Sequence, residues 1–93
     1  MLFENNPKRF TRENVEALSP NRMGCYGIYR IGLWIYVGKG DIRARLLAHL
    51  DGDVPCILKE KPQYWVDLVT DDMDNEEKRL SRACEPVCNP EVG

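Results

Sequence analysis

Gly27-Ile28-Tyr29-Arg30-Ile31-Gly32-Leu33-Trp34-Ile35-Tyr36-Val37-Gly38 is the stretch on which the fold turns. Two apolar, aromatic-rich runs flank Gly32-Leu33, with glycine first as a type II′ turn prefers. The spacing predicts a β-hairpin, with strands from Cys25 to Ile31 and from Trp34 to Val37. With Gly32-Leu33 as a two-residue loop, Ile31 faces Trp34 and Tyr29 faces Tyr36. Directly opposed residues of an antiparallel pair share a face. The expected hairpin thus sets two phenol hydroxyls side by side, where a proton or a phosphate can be handled.

Outward from the hairpin, Gly38-Lys39-Gly40 reads as a loop. Asp41 reads as the N-cap of a helix from Ile42 to about Leu50, with Ile42, Leu46 and Leu50 on one face. Asp51-Gly52-Asp53 stops it. Val54 to Gln63, with two prolines, reads as a long connection. Tyr64 to Thr70 is rich in β-formers and predicts a third strand. A second helix is expected from about Asp74 to Cys84, with Met73, Leu80 and Cys84 on its apolar side and Pro86 closing it. Upstream, Thr11 caps a short helix whose apolar residues are Val15 and Leu18, ended by Ser19-Pro20-Asn21. The order is ββαβα after a small leading helix, an α/β or α+β arrangement of three strands with helices packed on them.

A chain of 93 residues makes one small domain. Its core is expected at about 24–89, after an N-terminal extension over 1–23. No stretch is long enough to span a bilayer, so no membrane partner is expected. The opening Met1-Leu2-Phe3-Glu4-Asn5-Asn6 lacks the basic-then-apolar order of a signal peptide, so the expected compartment is cytoplasmic. On that ground Cys25, Cys56, Cys84 and Cys88 are read as reduced thiols, although they suffice for two disulfides. Zinc held by Cys84, Cys88, His49 and Cys56 is disfavoured, because Pro86 breaks the helical spacing. The net charge of −2 argues against tight non-specific nucleic-acid binding by this chain alone.

Polar residues cluster in two places. Arg45 and His49 share one helix face at i, i+4, bordering the apolar stripe, while Arg43 points elsewhere. Lys39 lies within reach of the same rim. The second helix opens with Asp71, Asp72, Asp74, Glu76 and Glu77. The macrodipole accounts for most of that charge, but Glu76 and Glu77 flank the buried stripe, and periodicity does not choose between them.

Together these residues resemble the GIY-YIG nuclease superfamily, which includes the N-terminal cutting domain of the excinuclease C subunit and the catalytic domains of homing endonucleases. Gly27-Ile28-Tyr29 stands for the first signature and Tyr36-Val37-Gly38 for the second. Arg45 with His49 looks like the family's helix arginine and downstream histidine. Glu77, then Pro86 and Asn89, is similar to its Glu…Pro-x-x-Asn ending, a register that selects Glu77. The chain departs from the pattern twice. The spacer between the signatures is shorter than in most members, and the loop from Tyr36 to Arg45 is one residue short.

The resemblance implies a GIY-YIG-like core and metal-dependent endonuclease chemistry on nucleic acid, DNA foremost. Glu77 would hold a single Mg²⁺ or Mn²⁺. Arg45 would stabilise charge on the phosphoryl oxygens. Tyr29 would activate water, with its pKa lowered by neighbours such as His49, and Tyr36 would orient the nucleophile or phosphate. Lys39 and Arg43 would contact substrate. Gly27 and Gly38 would allow close packing, and Asn89 would brace the Glu77 helix. Binding alone would be weak, with specificity supplied by a protein partner or second subunit. The alternative is a catalytically silent module of the same fold that binds nucleic acid or a protein.

Overall fold

The hairpin forms, but its turn is shifted by one residue. A computed structural model describes Phe3 and residues 6–89 of the chain. Strand β2 (Met23–Arg30) pairs antiparallel with β3 (Leu33–Asp41), and Arg30 stands opposite Leu33. The loop is therefore Ile31-Gly32, with Gly32 at φ 85 in the second loop position, where a left-handed conformation calls for glycine. Ile31 is left at the tip, 74% exposed.

That shift overturns the expected pairing of the tyrosines. Tyr29 lies opposite Trp34, not Tyr36, and an irregularity follows that brings Ile28 opposite Tyr36. Ile35 is the extra residue of a β-bulge. Since side chains alternate between faces, a one-residue slip sends a residue to the other side of the sheet. Tyr29 accordingly packs with Trp34 on one face, and Tyr36 packs with the core on the other.

The strand read at Tyr64 to Thr70 is β4 (Tyr64–Val69), paired with the far side of β2. A two-residue strand, β1 (Lys8–Arg9), adds to its outer edge and was too short to show periodicity. The sheet is four-stranded and antiparallel, in the order β1-β4-β2-β3. Strand β3 also continues through Gly38-Lys39-Gly40, where a loop was expected, with Lys39 opposite Cys25 and Gly40 opposite Gly24.

Helices cover both faces. On one side lie α1 (Arg12–Glu16), α2 (Ile42–Leu50) and α3 (Pro55–Lys59). Their residues Val15, Ile42, Leu46 and Ile57 bury against Tyr26, Ile28, Ile35 and Trp65. On the other side α4 (Met73–Cys84) sets Leu80 and Cys84 against Cys25, Val37, Val66 and Leu68. Both expected caps are present. Thr11 accepts from the Asn14 amide at 3.2 Å, and Asp41 from the Ala44 amide at 3.1 Å. Helix α3 arises inside the long connection, with Pro55 in its first turn, where a missing N–H costs nothing. The result is an α+β domain. No helix among the described residues is long and apolar enough to cross a membrane. Most of the opening segment, on which the compartment was read, lies outside the described residues.

The thiol expectation is corrected for two of the four cysteines. Cys56 and Cys88 form a disulfide, whereas Cys25 and Cys84 are free and buried. The zinc set is not assembled, since Cys84 packs under the sheet with the α4 cluster. The disulfide ties the end of the described chain to α3. Just beside it, the Val87 amide donates to the Trp34 carbonyl at 3.2 Å and the Cys88 amide to the Ile35 carbonyl at 2.8 Å. Asn89 then brackets Val37, accepting from its N–H at 2.8 Å and donating to its C=O at 2.7 Å. Asn89 thus braces β3 and not the helix carrying Glu77.

A bridge spanning 32 residues restricts the unfolded chain by about 3–4 kcal/mol in the loop-entropy picture. Cys88→Ser should therefore lower stability by a large part of that amount in denaturant titrations. It should also reduce hydrogen-exchange protection at the Val37 amide relative to Ile28 in the sheet centre.

Candidate active site

The sequence places a second Gly-x-Tyr in β2, Gly24-Cys25-Tyr26, three residues before the first-read signature. Three is odd, so Tyr26 and Tyr29 point to opposite faces. It is Tyr26 that stacks on Tyr36, with ring centroids 6.3 Å apart. Gly38 makes room for it, since a Cβ there would stand 2.3 Å from Tyr26 Oη. Gly27 faces the other way, where a Cβ would meet the Phe3 and Trp34 rings at 2.8 Å. Both glycines thus permit close packing, but only Gly38 does so at the paired tyrosines.

Helix α2 lays Arg45 and His49 over this pair. His49 is fully buried. Its Nε2 lies 2.7 Å from Tyr26 Oη and its Nδ1 2.7 Å from Asp53 Oδ1. The Tyr36 ring meets the imidazole edge-on at 4.9 Å. Arg45 donates to Asp53 at 3.0 Å, and its guanidinium also reaches the Tyr26 hydroxyl. Tyr26 is 1% exposed, so it stands behind the site. Tyr36, half-buried, is the phenol at its surface.

Lys39 and Glu77 lie on the other side of β3. Lys39 pairs with Asp74 and, at 3.5 Å, with Glu77. Glu76 is turned away to Arg79 at 2.6 Å, which separates the two carboxylates that periodicity left equivalent. Tyr36 is where the halves meet, because Arg45 and Asp53 act on it from the α2 side and Glu77 from the α4 side. Two expected members are not brought in. Tyr29 packs between Trp34 and Tyr64 at 4.9 and 5.5 Å. Arg43 donates towards the Glu16 carbonyl of α1 at 3.5 Å.

The electrostatics follow from burial and these partners. Burial holds the Tyr26 phenol well above its ordinary value of 10. Burial also raises Tyr36, with Glu77 and Asp53 adding to it and Arg45 opposing. His49 is lowered by burial, against the pull of Asp53. Burial alone would raise Asp53, but its bonds from His49 and Arg45 bring it below the ordinary 3.8. Among the described residues no three metal-ligating side chains gather. Asp74 and Glu77, however, one turn apart on α4, converge on a single cation, the Lys39 ammonium. Two carboxylates match the protein's share of a hydrated Mg²⁺ site, which substrate phosphates and waters complete.

Sequence reasoning missed Tyr26 and Asp53. The repeated Gly-x-Tyr was the available signal for Tyr26. Asp53 was read only as part of a helix stop, although it follows His49 at i+4. A cavity of about 390 Å³, lined by Lys8, Leu18, Ser19, Arg22, Ile42, Asp67 and Val69, includes none of the candidate site residues. The chemistry gathers instead at a strand edge. Comparison with known proteins finds no matching family model, no matching curated protein and no matching solved structure.

Two outcomes follow from these charges. Glu77→Gln removes a carboxylate that raises Tyr36, so Tyr36 should ionise at lower pH in a tyrosinate titration, with Tyr29 unmoved. For His49 the folded value lies below the unfolded 6.5, so the unfolded chain takes up the proton first. The stability from burying it neutral is complete above that pH and is lost as pH falls towards the folded value. Thermal melts between pH 7 and 5 should show this loss, and His49→Gln should flatten it.

Proposed function

We propose that this chain is a metal-dependent endonuclease of the GIY-YIG type that hydrolyses phosphodiester bonds in nucleic acid, DNA foremost. The supporting observation is that the half-buried Tyr36, stacked on Tyr26 and edge-on to His49, lies within the electrostatic reach of both Arg45 and Glu77. The family signature is then better taken as Gly24-Cys25-Tyr26. This register keeps its tyrosine beside Tyr36 and lengthens a spacer that was otherwise short for the family.

In this reading Arg45 directs its guanidinium to the phosphoryl oxygens, where charge builds as the bond breaks. Tyr36 Oη receives the proton of the attacking water. That role needs the phenolate, so the burial and carboxylates that raise Tyr36 must be offset when substrate binds. Glu77, with Asp74 beside it, would hold Mg²⁺ or Mn²⁺, which when bound polarises the phosphate and supports the leaving oxygen. Lys39, released from these carboxylates, is free to contact the nucleic-acid backbone. Tyr26 and His49 hold Arg45 and Tyr36 in place from behind. Neither Tyr29 nor Arg43 has a part in the chemistry.

One observation favours the silent module instead. Lys39 is taken up by Asp74 and Glu77, and Arg45 by Asp53. On a chain of net charge −2, little positive charge is then left for a polyanion. Weak binding alone, with specificity from a partner or second subunit, is consistent with either reading.

A cleavage assay with branched, nicked and single-stranded substrates, with Mg²⁺, Mn²⁺ or chelator, separates the two. Arg45→Ala should slow cleavage on the order of 10²–10³-fold, as for loss of one transition-state donor. Tyr36→Phe should be similarly damaging, whereas Tyr29→Phe and Arg43→Ala should remain within a few-fold of wild type. Absence of metal-dependent cleavage on every substrate would sink the enzyme reading.

A further inference from the structure

We propose that Asp53 is a positioning residue that holds His49 in the Nδ1–H tautomer and so keeps Tyr26 a protonated hydrogen-bond donor. The inference deepens the nuclease reading by separating the two tyrosines of the site. Tyr26 is support and keeps its proton, and Tyr36 is the phenol available for chemistry.

The argument rests on which groups can donate. Tyr26, His49, Asp53 and Arg45 form a chain of hydrogen bonds. Tyr26 Oη lies 2.7 Å from His49 Nε2, His49 Nδ1 lies 2.7 Å from Asp53 Oδ1, and Arg45 lies 3.0 Å from Asp53 Oδ2. A guanidinium only donates and a carboxylate only accepts, which sets every direction. Asp53 accepts hydrogen bonds from Arg45 and from the His49 Nδ1–H. Neutral His49 then has a lone pair at Nε2. The Tyr26 O–H, 2.7 Å away, therefore donates to Nε2.

The opposite tautomer breaks the chain. With the proton on Nε2, an imidazole lone pair would face the Asp53 carboxylate, two acceptors 2.7 Å apart. Tyr26 would then receive from His49, and its own hydrogen would lose the acceptor it has at Nε2. Leaving a buried donor unmatched is costly, and Tyr26 and His49 are almost wholly buried. Protonating His49 instead would place a charge among Tyr26, Tyr36 and Arg45, with Asp53 alone to balance it. Burial opposes that form. The carboxylate thus acts at one remove, since Asp53 orients His49, His49 orients the Tyr26 hydroxyl, and the Tyr26 ring backs Tyr36.

The test is ¹⁵N NMR of the His49 imidazole in the full-length chain near pH 7.5, with no substrate or metal. Because His49 is the sole histidine, its signals need no assignment. The wild type should show a protonated Nδ1 and a bare Nε2. In Asp53→Ala the Nε2–H fraction should rise on the order of tenfold or more, the ratio commanded by a hydrogen bond to a charged group. A wild type protonated at Nε2, or an alanine variant with unchanged tautomer, overturns the proposal. If the alanine variant does not fold, the wild-type tautomer alone decides. The readout is independent of cleavage, so an inactive protein would remove the nuclease reading and leave this one standing or falling by itself.

Discussion

Gly38 has no side chain, and the candidate site depends on that vacancy. A Cβ there would collide with Tyr26 Oη at 2.3 Å. Without it, the phenol lies flat beneath β3 and reaches the imidazole of His49 on the helix above. Helix α2 is thereby tied to the sheet by a buried polar contact as well as by Ile42 and Leu46. The contact also determines where α2 presents Arg45. Any residue larger than glycine would have to displace Tyr26, and with it the ring on which Tyr36 stacks. Buried polar networks of this kind specify one arrangement only when every member is satisfied, and no described buried side-chain polar atom lacks a partner.

Charge at the site is balanced before any ligand arrives. Arg45 is held by Asp53, and Lys39 by Asp74 and Glu77. The pairs differ in setting. Lys39 and Asp74 are open to water, where an ion pair is easily exchanged. Arg45 and Asp53 share their bond with the buried His49, so separating them disturbs His49 and, through it, Tyr26. On the proposed nuclease reading, a phosphate would meet one cation that is readily released and one that is anchored in position. An anchored guanidinium is what transition-state stabilisation requires, because its orientation costs nothing further during reaction.

The parts legible in the sequence were those governed by strong local rules. Asp41 capping α2, the stripe of Ile42 and Leu46, and the Leu80 and Cys84 face of α4 all follow from helix chemistry. The hairpin was legible as a hairpin but not in register. Gly32 can serve either position of a two-residue turn, and the choice moves the partner of Tyr29 from Tyr36 to Trp34; the bulge at Ile35 then turns Tyr36 to the opposite face. Two glycines disguised the last part of β3, since Gly38-Lys39-Gly40 reads locally as a loop and becomes strand only through pairing with β2. Asp53 and the Cys56–Cys88 bridge depend on where separate segments meet, and no local pattern announces them. Two-residue β1 is too short for any periodicity. Arg45, His49 and Glu77 were legible because each borders an apolar stripe. Tyr26 was missed because the more perfect Gly-Ile-Tyr stood three residues later.

The unequal protection of β3 ties these points together. An edge strand offers unpaired backbone groups that invite another strand. Here the Val87 and Cys88 amides and the Asn89 side chain occupy that edge from Trp34 to Val37, and the disulfide holds them there. The bracket ends on the residue between Tyr36 and Gly38. The chemistry-bearing side chains lie around this boundary, with Tyr36 and Arg45 over one face of β3 and Lys39 and Glu77 over the other. A rigid edge is what lets groups from opposite faces of a sheet act on one phenol. Fixing β3 at Val37 steadies Tyr36 from the strand while the Tyr26 ring steadies it from the core. The segment from Val87 to Asn89 is thus as much a part of the candidate site's framework as α2.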